Sequence, residues 1–198
     1  MSSSDLIRWG AVGALLAGIA WLALGLIPLV ILGQVALYFG GVATAEDYLL
    51  EILFSIATLG MLAGIVGLHA REAPNYGRLG TAGFFAAFVG VFFLLASTVA
   101  SLLAESGDVL DWFFVLGFVG TLVGFVLLGT ATLRARVLPR WCGILLLLAV
   151  LGIPVYFALG TYGGAILNGL VWLALGYGLW LERGTSAEQT TLLSRLHA

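Results

Sequence analysis

The stretch LHAREAPNYGRLG (68–80) gathers one of the two histidines, two arginines, a glutamate and a proline in an otherwise apolar chain. His69, Arg71, Glu72 and Arg78, joined by Arg134 or Arg140 from a later segment, are the groups that a surface acid–base or anion-binding cleft would need. As a metal or haem ligand His69 stands nearly alone: such sites gather several ligands, and the only other histidine is His197. A histidine just ahead of Arg71 at a helix C-terminus is more simply a polar cap. The loop also has a plainer role, in which its arginines hold a short turn on one side of a bilayer.

A second constellation lies at the opposite ends of the apolar segments. Asp47, Glu51, Ser55 and Thr58 recur at helical spacings and share one face. Ser97, Ser101 and Glu105, followed by Asp108, do the same on the next segment if its helix continues that far, and Tyr156, Thr161 and Tyr162 reach the same side. An acidic, hydroxyl-lined vestibule of this kind would attract cations or an amine-bearing ligand. The plainer reading, which we favour, is that helix ends meet water and their hydroxyls bond to nearby backbone. Asn168 is the one mid-span amide, suited to an interhelical hydrogen bond or, less simply, to a ligand.

No ionisable residue falls in the middle of a segment, which argues against a proton-coupled pump or a voltage sensor. Cys142 is the only cysteine, so an intrachain disulfide and a Cys-x-x-Cys pair are excluded; a small apolar residue at a helix start is its expected role. Phosphate-binding glycine loops, nucleophile elbows and His-Glu-x-x-His motifs do not occur. The sequence therefore nominates no catalytic, cofactor-binding or metal-ligating residue, and we expect no cofactor.

The elements that position these residues follow from composition. Of 198 residues, 62% are apolar and 9% charged, with a mean hydropathy of +1.14. A soluble domain is about 45–50% apolar and about 25% charged, so the bilayer must solvate most of this chain. Charges divide it into uncharged runs at 9–45, 52–70, 79–104, 112–133 and 141–181. A span takes roughly 20 residues, so each middle run is one helix. The last run is long enough for two, broken by Gly160 and Gly163-Gly164 into a tight hairpin. Pro28, Gly33 and Gly40-Gly41 end the first helix near residue 32, ahead of a segment resting at the interface. The fold class is thus an all-α, polytopic six-helix transmembrane bundle, a single domain over 1–181 with spans near 9–32, 50–70, 79–103, 110–133, 140–160 and 163–181. A short polar tail follows at 182–198. Ala43-Thr44-Ala45 resembles a signal-cleavage site, but the preceding apolar run exceeds the roughly 7–15 residues of a signal core, so an uncleaved first span is expected.

Charge placement supports six spans. With the N-terminus inside, all eight cations, Arg8, Arg71, Arg78, Arg134, Arg136, Arg140, Arg183 and Arg195, face the cytoplasm, while the outer loops carry acids only. The positive-inside rule predicts that segregation, and both termini are expected to be cytoplasmic. Arg71, Arg78, Arg134, Arg136 and Arg140 are candidate contacts for anionic headgroups. Small residues at four-residue spacing, Gly60 and Gly64, Gly120 and Gly124, and the series Gly10, Ala14, Gly18, suit close helix contact inside the bundle rather than a dimer face.

GIVGLHAREAPNYGRLGTAGFFAAFVG (64–90), followed by TATLRARVLPRWCGILLL (130–147), resembles a widespread prokaryotic family of small multi-pass membrane proteins. In that family an arginine-bearing loop ends in Gly-Arg-Leu-Gly and a Leu-Pro-Arg-Trp turn opens a later span. The resemblance implies topology and a prokaryotic inner membrane; it implies no activity and transfers no site residue. Three functional classes follow, in order: a non-enzymatic module or accessory subunit, a small transporter or channel using the outer acidic face, and a membrane enzyme. Expected partners are membrane lipids and another membrane protein or a second copy, with no nucleic acid.

Overall fold

The structure, a computed structural model, describes residues 3–32, 44–103 and 108–196. Apart from short turns, it is helical over those residues: α1 (Ser3–Ile27), a π-helical turn (Pro28–Leu32), α2 (Ala45–Glu72), α3 (Gly77–Leu103), α4 (Asp108–Ala135) and α5 (Arg140–Leu196). The change from α to π register begins at Pro28, which has no N–H to donate to the Leu24 carbonyl. Thr44 caps α2 in a closed box: Asp47 N donates to the Thr44 hydroxyl oxygen, and Thr44 N donates to the Asp47 carboxylate at 2.8 Å. Cys142 N donates to the Pro139 carbonyl at 2.9 Å as α5 opens.

Among the described residues, five stretches are long and apolar enough to cross a membrane: Ser3–Val30, Ala45–Glu72, Gly77–Leu103, Trp112–Ala135 and Gly163–Leu181. A shorter apolar stretch, Arg140–Gly152, precedes the last of them. Large apolar side chains such as Ile19, Leu59, Phe85, Phe92 and Val119 are exposed along the helices, where acyl chains would solvate them. The protein is therefore a polytopic helical membrane bundle.

In α5 helical hydrogen bonding runs from Arg140 to Leu196 without a coil break at Gly160–Gly164, yet the chain turns back within it. Gly152 lies against Asn168, and Gly178 against Trp141 and Cys142. In a straight helix those residues would be about 24 and 54 Å apart at about 1.5 Å per residue. The chain thus reverses between Gly152 and Asn168, and its two limbs run antiparallel. The reversal fits the hairpin expected there, but without a non-helical loop.

Glycine and alanine set the helix spacing, since between apolar helices in lipid only close packing drives association. Gly10 meets Gly67 and Gly60 meets Ala17 between α1 and α2; Gly90 meets Thr121 and Gly124 meets Ala87 between α3 and α4. In each pair the residue numbers run in opposite directions, so neighbours are antiparallel. The small-residue series is used inside the bundle, as expected. At mid-depth Trp172, fully buried, packs on Gly64 and stands 5.8 Å, centroid to centroid, from Phe125; Ala14 completes the layer from α1.

Candidate functional site

The alternation of direction brings the C-termini of α2 and α4 and the N-termini of α1, α3 and α5 to one end. Arg8, Arg71, Arg78, Arg134, Arg136 and Arg140 all belong to those termini, and each except half-buried Arg71 is exposed. The structure thus gathers the candidate headgroup contacts at one end of the molecule. Beneath them lies a polar cluster in which His69 and Glu72, named from the sequence, are joined by Tyr76 and Thr132, which were not.

The cluster starts in the turn between α2 and α3. Asn75 N and Tyr76 N both donate to the Glu72 carbonyl, at 2.8 and 3.3 Å, and close the end of α2 into a tight turn. Gly77 then takes φ +61°, a left-handed angle that glycine adopts without strain. The turn folds the Tyr76 ring down onto Gly80, where a side chain would collide with it. Tyr76 is consequently buried, and its hydroxyl is hydrogen-bonded to His69 Nδ1. The imidazole stacks on Phe84 at 3.9 Å with an interplanar angle of 22°. His69 is therefore held by an aromatic neighbour and a phenol rather than standing as a simple headgroup-facing cap. Burial, with the nearby Glu72 carboxylate adding to it, pushes the Tyr76 phenol above its ordinary pKa.

Glu72 is fully buried at the end of α2. The Thr132 hydroxyl of α4 donates to its Oε2 at 2.6 Å. Its other oxygen, Oε1, is buried and accepts no hydrogen bond from any described residue. Charges were read in the sequence as marking where spans stop, so Glu72 looked like a loop residue. A usable signal was available: Glu72 follows Leu68 by four positions and Ile65 by seven, the spacing of one buried helix face. Thr132 carries the same signal, following Leu128 by four positions and Phe125 by seven. Half-buried His69 and enclosed Glu72 are joined by Tyr76 and Thr132, while Arg78, Arg134 and Arg140 stay on the rim, so the cleft of a membrane enzyme is gathered only in part.

At the opposite end the candidate outer face is largely engaged locally. Asp47 belongs to the capping box, and Thr58, fully buried, donates to the Phe54 and Ser55 carbonyls at 2.9 and 3.1 Å. Ser101 donates to the Ser97 carbonyl at 3.0 Å. Glu51 is half-buried, and the buried Ser55 hydroxyl one turn on has no partner among the described residues. Glu105 and the side chains of Tyr156, Thr161 and Tyr162 lie outside the described residues. Asn168 Nδ2 donates to the Gly164 carbonyl at 3.1 Å, and its amide packs on Gly152 across the α5 hairpin.

Fold and composition define the class: an integral membrane protein built as an all-α bundle. Comparisons with protein-family models, with curated proteins and with solved structures find no match to the chain. Function must therefore be argued from the residues themselves.

Proposed function

We propose that this chain is a non-enzymatic module of a prokaryotic inner membrane, acting as an accessory subunit of a membrane assembly, with both termini cytoplasmic. The observation that carries the reading is the closed middle. Trp172 fills the layer between Ala14, Gly64 and Phe125, and glycine contacts draw the neighbouring helices together above and below it. Such a bundle suits a packing or docking partner better than a pathway. The arginine-bearing end supports the orientation, because cytoplasmic loops retain Arg and Lys. The layout resemblance to small prokaryotic multi-pass proteins points the same way.

A small transporter is the second reading, favoured by half-buried Glu51 beside the unpartnered Ser55 hydroxyl. Reconstitution separates the two. Proteoliposomes containing the protein should hold sodium, potassium and proton gradients as tightly as protein-free vesicles, and native gels of the source membrane should show the protein in a complex larger than itself. Ion flux that Glu51→Gln abolishes would replace the module with the transporter.

A further inference from the structure

Arg134, Arg136 and Arg140 fall within seven residues at the turn between α4 and α5, and all three are exposed. The turn itself is tied to the bundle. Arg136 N donates to the Thr132 carbonyl, Cys142 N donates to the Pro139 carbonyl, and Leu138, between Arg136 and Arg140, is buried. No acidic residue occurs in the chain between Asp111 and Glu182. The other arginines at this end are placed differently. Arg8 follows Asp5 by three positions on α1, Arg71 is half-buried next to Glu72, and Arg78 stands singly at the start of α3. Two exposed apolar stripes run into the turn. On α4, Leu116, Val119 and Val123 are exposed at spacings of three and four, and Arg134 follows Val123 by eleven positions, about three helical turns, on the same face. On α5, Ile144 and Leu151 are exposed four and eleven positions after Arg140, again on one face. Gly129 and Gly143 meet where α4 packs on the first limb of α5, so the stripes belong to adjoining helices. Trp141, seated on Gly178 and exposed beside Arg140, is an indole at the level where headgroups meet acyl chains.

We propose that the α4–α5 turn binds one anionic phospholipid, with its phosphodiester among Arg134, Arg136 and Arg140 and its acyl chains along the exposed stripes of α4 and α5. Guanidinium groups offer phosphate oxygens paired N–H donors and a permanent positive charge. The stripes make the occupant a lipid rather than free phosphate, because they continue the contact from the arginines into the apolar layer. The positive-inside rule treats all the arginines of this end alike, whereas a site at the turn depends on three of them. It lies on the lipid-facing surface and leaves the packed middle untouched, so it is compatible with an accessory module and with a transporter.

Thermal unfolding of the full-length protein in a neutral detergent at low ionic strength tests this, since a ligand of the folded state raises Tm in a saturable way. Phosphatidylglycerol is compared with phosphatidylcholine, which has a phosphodiester and acyl chains but no net charge, and with inorganic phosphate. Phosphatidylglycerol alone should raise Tm. Arg134→Gln, Arg140→Gln and Arg136→Gly should each raise its half-saturating mole fraction about fivefold, while Arg8→Gln and Arg78→Gln should leave it unchanged. The proposal is overturned if phosphatidylglycerol leaves Tm where it was, or if phosphatidylcholine or inorganic phosphate raises Tm as much. It is overturned equally if Arg8→Gln and Arg78→Gln weaken binding as the turn variants do, the mark of a diffuse positive surface. Should a turn variant not fold, wild-type binding that is unchanged between about 50 mM and about 500 mM sodium chloride overturns it, because exposed charges are screened over that range.

Discussion

At the scale of single residues, the turn between α2 and α3 holds the densest chemistry in the described chain. Tyr76 ties the turn to α2 through His69, so Tyr76→Phe should lower stability by about 1 kcal/mol, read from unfolding in a denaturing detergent. The phenol adds a pH signature. Its pKa is raised in the folded state, so its contribution is complete below the unfolded value of about 10. Above that pH the unfolded chain ionises first, and the contribution is lost as pH rises toward the folded value. Wild type should therefore lose stability in alkali more steeply than Tyr76→Phe, and parallel curves would contradict the buried phenol. Thr132→Val removes the only hydrogen-bond donor to the Glu72 carboxylate among the described residues and should cost about 2 kcal/mol in the same assay.

At the scale of elements, glycine acts in two distinct ways that substitution can separate. A Cβ on Gly83 would stand 2.6 Å from the Leu128 backbone nitrogen, so Gly83→Ala must push α3 away from α4. We expect a loss of about 1–3 kcal/mol, growing with side-chain size through Gly83→Leu. Gly77 has open space around it and a φ of +61°, so Gly77→Ala should cost about 1 kcal/mol through backbone strain alone, with no size dependence. Arg136 is the converse case. It ends α4 at φ 54°, its N–H donating to the Thr132 carbonyl at 3.2 Å, a position glycine fills with less strain. Arg136→Gly should raise unfolding stability by up to about 1 kcal/mol while removing one cation from the rim. A fall in stability would show that the guanidinium contributes more than the strain costs.

At the scale of the whole molecule, the alternating helices place Arg8, Arg71, Arg78, Arg134, Arg136 and Arg140 at one end, opposite Glu46, Asp47 and Glu51 at the start of α2. Labelling in intact cells checks both that arrangement and its orientation. In a Cys142→Ala background, Asn75→Cys and Val137→Cys should be shielded from an impermeant thiol reagent outside, and Glu46→Cys should react. Cys142 itself is buried against Gly178 and should stay silent in the parent protein. Reaction at 75 and 137 with protection at 46 would invert the orientation while leaving the bundle intact.

Much of this architecture is written locally. Apolar runs of span length, Pro28 at the π turn, Thr44 with Asp47 as a capping box, and arginines confined to alternate gaps each act within a few residues or on the bilayer, so the sequence alone determines a polytopic helical membrane protein. The small-residue series announced close packing, but which helices it joins depended on partners tens of residues away. The same holds for Glu72. Its burial requires α4 to approach α2 and place Thr132 on it, a contact across sixty positions of chain. A charged residue at a span end looks solvent-facing until the neighbouring helices are in place. Only the tertiary structure could reveal it as an enclosed carboxylate, because enclosure belongs to the assembled helices and not to any one of them.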